Sequence, residues 1–156
     1  MLKFILKPGL IFDVDLHSLK EMVDYVIHSN ILMLQEDVIA DLKKLYEKKV
    51  SNFPTSLGHG NMMLHLYHPF FTKSYLMVLR NRMNLSMREK DPREFNVLFF
   101  LLTPRDNLPK YARLKGRIIR LLEDDEINRI IREETSRISL LDSLFHLENK
   151  ILKLPY

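Results

Sequence analysis

Cysteine is absent from this chain of 156 residues, which excludes disulfides, thiolate metal sites and cysteine nucleophiles. Glycine is scarce, with 4 residues in all, so the pair at Gly58 and Gly60 stands out. No apolar run is long enough to span a membrane. The best, Phe4-Ile5-Leu6, is bracketed by Lys3 and Lys7 and stopped by Pro8, too short even for the core of a signal peptide. A cytoplasmic location without membrane insertion is therefore the expectation. One-sided charge is lacking too: 24 Lys and Arg against 20 Asp and Glu leave a net charge of +4, which selects no class of partner. What is present is ordinary globular composition, 46% hydrophobic and 28% charged. The length predicts one domain over residues 1–156.

Element types alternate along the chain. Leu10-Ile11-Phe12 with Val14 reads as a short strand. Ser18-Leu19-Lys20-Glu21 has capping-box spacing, and Leu19, Met22, Val23, Val26 and Ile27 follow on one helical face, predicting a helix that ends near Ser29-Asn30. A second amphipathic helix is predicted over 36–49. Pro54, Gly58 and Gly60 mark a loop. Residues 62–66, 75–79 and 95–102 are rich in apolar, aromatic and β-branched types and read as strands; the last is apolar on both faces and so central. From Pro109 the period turns helical, with Leu114, Ile118 and Leu121 on one face and Lys110, Arg113, Arg117 and Arg120 on another. Two more helices are predicted over 125–134 and 139–150, the second opened by a box-like Ser139-Leu140-Leu141-Asp142. Helices before and after a block of strands imply an α/β or α+β domain with helices covering a sheet.

The stretch Thr55-Ser56-Leu57-Gly58-His59-Gly60, with His65 five positions on, is the strongest functional signal. Glycines let successive backbone amides converge into an anion-binding concavity, and the Thr55 hydroxyl adds a donor. Neutral imidazole, with an ordinary pKa of about 6.5, is a competent phosphoryl nucleophile. On spacing alone the same histidine also reads as a loop or packing residue.

Together with the order of elements, these residues resemble a family: the fructose/mannitol-type enzyme IIA domain of the bacterial phosphoenolpyruvate-dependent sugar phosphotransferase system, which includes the nitrogen-regulatory IIA proteins. That family carries Thr-x-Ile-Gly-x-Gly, four residues, and then the phosphorylated histidine. Here TSLGHGNMMLH supplies Thr55, Leu57, Gly58, Gly60 and His65 in that register. FNVLFFLLTP, ending at Pro104, resembles the family's later hydrophobic strand, and the helix from Pro109 with a closing pair of helices also matches. The resemblance implies a mixed sheet of about five strands flanked by helices on both faces. It also implies that His65 receives a phosphoryl group from the phosphocarrier protein HPr and passes it to a IIB domain. Thr55, Gly58, His59 and Gly60 would cradle the group. Neither nucleotide nor metal nor other cofactor is implied, because the donor is itself a phosphohistidine.

Three positions depart from the pattern. Leu64 stands where the family usually has proline. No arginine occurs between Glu36 and Leu79, so Lys48 or Lys49 takes that place near the threonine. No histidine lies between His68 and His146, so Lys110 or Tyr111 occupies the position of a second histidine. Lysine supplies charge to a phosphoryl group but not imidazole hydrogen bonding. Two functions of different classes follow: a phosphoryl carrier working through His65, or a regulatory or interaction module that keeps the fold with a degenerate site.

Other features read more plainly. His59, His65 and His68 are metal-ligating types, but strand alternation sets 65 and 68 on opposite faces and no carboxylate completes a set, so no metal is expected. His68-Pro69 marks a strand end, and His17, His28 and His146 read as surface or helix-end residues. The stripe of Lys110, Arg113, Arg117 and Arg120 reads as a solvated face or a dock for an acidic protein rather than a nucleic-acid surface, because Glu123-Asp124-Asp125-Glu126 follows at once and repels phosphate. The 8 methionines read as core filler or adaptable surface.

Overall fold

The most apolar segment of the chain occupies the middle of a sheet. The computed structural model describes residues 1–50, 55–86 and 92–153, apart from the side chains of Lys49 and Val50. Its strands are β1 (Ile11–Val14), β2 (Thr55–Gly58), β3 (Asn61–Tyr67), β4 (Tyr75–Ser86) and β5 (Glu94–Thr103). They form one five-stranded mixed sheet in the order β1-β4-β5-β3-β2. β5 is central because it is apolar on both faces; every residue from Val97 to Thr103 is buried. It runs parallel to β3 and antiparallel to β4, while β1 is parallel to β4 and β2 antiparallel to β3. Both edge strands have 4 residues, which limits the unpaired backbone they expose.

Register assigns the two faces. Asn61, Met63, His65 and Tyr67 lie beside Val97, Phe99, Leu101 and Thr103, and alternation turns all of them the same way. This face is covered by α4 (Leu108–Leu122), α5 (Asp125–Glu133) and α6 (Arg137–Leu152). There Val78 and Phe99 meet Ile118, Leu121, Ile131 and Leu144 around a small apolar pocket. The opposite face carries α2 (Leu19–Ile27) and α3 (Glu36–Val50). Phe12 of β1 meets Tyr25 of α2 edge-on with centroids 5.5 Å apart, and Met22, Val23, Val26 and Leu42 are fully buried. A short α1 (Leu2–Ile5) joins the first face, its Leu2 N–H donating to the buried Glu148 carboxylate at 3.0 Å. The expected mixed sheet with helices on both faces is therefore present.

Local chemistry explains the element boundaries. The Ser18 side chain accepts from Glu21 N–H as its spacing predicts, and Glu21 accepts from His17 N–H at 2.8 Å. Asn107 caps α4 and Pro109 sits in its first turn, where its missing N–H costs nothing. Three expectations need correction. Residues 55–58 are a strand rather than a loop, because His59 and Gly60 alone reverse the chain. β4 runs on to Ser86, beyond its apolar run, since Arg80 and Asn81 find polar partners beside the sheet. The last helix starts at Arg137: Ser136, not Ser139, is the cap and accepts from Ser139 N–H.

Candidate functional site

His65 lies two residues before the end of β3, half-buried, on the face shared with α4–α6. Its Nε2 is 2.9 Å from the Oγ1 of Thr103. Thr103 ends β5, fully buried, two register positions beyond the residue opposite His65, so the parallel ladder brings the hydroxyl diagonally to the ring. A hydroxyl both donates and accepts, so Thr103 can hold Nε2 in either tautomer. Tyr67, on the same face, meets the imidazole edge-on with centroids 6.0 Å apart. The result is a nucleophile-type ring fixed in orientation yet reachable from solvent.

Thr55 joins this group. It pairs with Met63 across the β2–β3 ladder, on the same face and diagonal to His65, which places it about 7–8 Å away by ladder geometry.

The Gly58–Gly60 segment does not form a wall of this site, contrary to the sequence expectation. It is the hairpin turn at the start of β3, whereas His65 is near the other end, about 16 Å along the strand at roughly 3.3 Å per residue. Gly58, His59 and Gly60 have φ of 76°, 52° and 72°, and the two central residues of the turn, His59 and Gly60, show the sign pattern of a type I′ hairpin. Gly60 serves a different contact. A Cβ on Gly60 would lie 3.2 Å from both Arg132 Nη2 and Asn96 Oδ1. Arg132 of α5 donates to the His59 carbonyl and, at 2.8 Å, to Asn61 Oδ1; Asn61 in turn donates to Asn128. Burial lowers the Arg132 pKa from its ordinary value. His59 itself is exposed, with Nε2 3.7 Å from Asp125 Oδ1.

The other sequence candidates separate as well. Lys110 opens α4 at the His65 end of the sheet, with its ammonium 5.5 Å from the Tyr111 ring centre, but it faces a cleft that no β3 residue lines. Tyr111 is buried and its hydroxyl donates to Asp106 at 2.8 Å. Burial, then Asp106, pushes its phenol up to about 12. The Lys49 side chain lies outside the described residues. His68 is a tether: Nε2 meets Asp41 of α3 at 3.0 Å, while its Nδ1 accepts from Phe70 N–H. Among the described residues no cluster of three or more His, Asp or Glu could hold a metal. Likewise, no helix of the described residues is long and apolar enough to cross a membrane.

Thr103 and Arg132 were not singled out from the sequence. Thr103 carried one usable signal, as the sole hydroxyl of β5. Arg132 carried none, since its partners across the sheet, His59, Asn61 and Asn96, lie far off in sequence.

No protein-family model matches the chain, and no curated protein matches it by sequence. Solved structures do. The nitrogen regulatory protein IIA-Ntr from Neisseria meningitidis superposes with a TM-score of 0.75 at 19% identity, covering 90% of this chain and 96% of that one. IIA mannitol from Escherichia coli gives 0.71 at 12% identity, covering 90% and 99%. In the complex of enzyme IIA-mannitol with phosphorylated enzyme IIB-mannitol, also from Escherichia coli, the match is 0.67 at 13% identity, covering 92% and 99%. At such identities the likeness speaks for architecture, and the architecture of this chain is the mannitol-type IIA fold.

Proposed function

We propose that this protein is a phosphoryl carrier of the IIA type: His65 accepts a phosphoryl group from the phosphohistidine of HPr and passes it to a IIB partner. The observation that carries the reading is the half-buried His65 at the end of β3, its ring held by Thr103, in a fold shared with IIA proteins. The complex of IIA-mannitol with phosphorylated IIB-mannitol supports a IIB domain as the acceptor. In the transfer, a lone pair on a His65 ring nitrogen attacks phosphorus as the donor P–N bond breaks, and the donor imidazole leaves with its electron pair. The group then leaves His65 by the same exchange. Catalysis comes from positioning and charge stabilisation rather than from a cofactor. Thr103 orients the ring, the Thr55 hydroxyl is the nearest proposed donor to the phosphoryl oxygens, and Lys110 lends positive potential from the same end of the sheet. The proposed carrier is a single domain that works in the cytoplasm.

One observation favours the second reading, a regulatory module without transfer. Lys110 or Tyr111 stands where the resemblance puts a second histidine, but the Tyr111 hydroxyl is committed to Asp106 and Lys110 faces a cleft that no β3 residue lines. Phosphoenolpyruvate, enzyme I and HPr, mixed with the protein and followed by intact mass, separate the two: the carrier gains one acid-labile phosphate, and the module gains none.

A further inference from the structure

A cleft separate from His65 opens between α1, residues 72–74 and the first turns of α4, with a volume of about 500 Å³. That is within the roughly 300–1,000 Å³ of small-molecule sites and far larger than a bare phosphate needs. Its side-chain cations are Lys73, Lys110, Arg113 and Arg117, and among the described residues no carboxylate lines it; the Met1 ammonium, also at the cleft, is paired to Glu148. Among the described residues none of these side-chain cations is ion-paired to a carboxylate. Three of them recur at spacings of three and four on one side of α4, where like charges repel unless an anion relieves them. The two lysines are braced: Lys73 Nζ lies 5.4 Å from the Tyr75 ring centre and Lys110 Nζ 5.5 Å from that of Tyr111. Part of the lining is apolar. Phe4, Ile5 and Leu114 contribute to it, and the Phe4 ring is 71% exposed beside the cations. The acidic run that follows α4 is at the helix's far end and contributes nothing to the lining.

We propose that this cleft binds a phosphomonoester with an apolar body, its phosphate held by Arg113 and Arg117 with Lys73 and Lys110 beside them, and its body laid on Phe4, Ile5 and Leu114. A dianionic head suits several cations better than a single carboxylate does, and the guanidinium fork matches its oxygens two at a time. The Thr72 and Ser74 hydroxyls at the rim add neutral donors. Lys110 is common to this cleft and to the proposed transfer, but no β3 residue lines the cleft, so binding here is read without any transfer to His65.

The test is an NMR titration of the isotope-labelled full chain with phenyl phosphate, inorganic phosphate and phenol. Phenyl phosphate should shift the amides of 72–74 and 110–117 saturably, with a Kd about tenfold or more below that of either fragment alone. Arg113→Glu with Arg117→Glu should raise that Kd by about tenfold or more, and His65→Ala should leave it unchanged. Both arginines are exposed, and the ligand-free spectrum shows whether the double variant folds. If it does not, the paired Gln variant should weaken binding in the same direction. Vesicles of phosphatidylcholine with and without phosphatidic acid distinguish the source of the ester. Cosedimentation that needs phosphatidic acid and both arginines assigns a lipid headgroup, and phenyl phosphate binding without cosedimentation assigns a soluble ester. Absence of saturable shifts, equal affinity for phenyl phosphate and inorganic phosphate, or an unchanged Kd in the double variant would overturn the proposal.

Discussion

Thr103 sets how His65 presents its ring, so its hydroxyl should matter more for rate than for stability. Thr103→Val keeps the buried shape and deletes the contact to Nε2. Stability should fall by about 1 kcal/mol in denaturant unfolding. Phosphoryl uptake from HPr should slow by about tenfold, because an imidazole that has lost its Nε2 contact spends less time in line with the incoming phosphorus. Thr103→Ser should recover most of the rate, and equal rates for all three proteins would show that the contact is only packing. At Tyr111 the sign is fixed by a phenol raised to about 12. A raised folded-state pKa contributes stability that is fully present below the unfolded value of about 10 and is lost as pH climbs through the folded one. Tyr111→Phe should therefore flatten the alkaline fall in unfolding free energy over that window. His65 stood out in the sequence as a candidate from its register to the glycines. Thr103 was not, because its partner is 38 residues away and a parallel strand register leaves no periodic trace in the chain.

At the scale of elements, the β2–β3 hairpin and α5 behave as one unit clamped by Arg132. Arg132→Ala should cost about 3 kcal/mol, since it strips partners from Asn61 and the His59 carbonyl together. Gly60→Ala places a side chain at positive φ and 3.2 Å from Arg132, and should cost about 1–2 kcal/mol. Neither should change the labelling rate of the folded fraction, because the turn is at the far end of β3 from His65. A proportionate loss of rate in the Gly60 variant would return the glycines to the site. The same scale offers a control on the caps: Ser136→Ala should lower stability by about 1 kcal/mol and Ser139→Ala by much less. Helices α2 and α4 and strand β5 were readable because cap spacing, a proline in the first turn and an unbroken apolar run are local signals. β2 was hidden because the residues that end it, Gly58 to Gly60, also look like a loop. The polar half of β4 was hidden because its partners come from other elements.

For the whole molecule, the sheet has two polar ends with different content. His65, Thr103 and the start of α4 gather at the end where β3 and β5 finish, while the opposite end holds Arg132 and a cleft of about 580 Å³ lined by Asp13, Arg80 and Glu134. There Arg80 is already committed to Asp13, at 2.6 and 2.9 Å, and to the Ile131 and Glu134 carbonyls. The layering and the central place of β5 followed from the sequence, because a strand apolar on both faces has to be covered on both. The division of labour between the ends did not, because it depends on which strands run parallel. The central claim, that His65 carries the phosphoryl group, is tested most directly by incubating wild type and His65→Ala with phosphoenolpyruvate, enzyme I and HPr and weighing the intact proteins. The account predicts one acid-labile phosphate on wild type and none on His65→Ala. An unmodified wild type, or a His65→Ala protein labelled to the same extent, would contradict it.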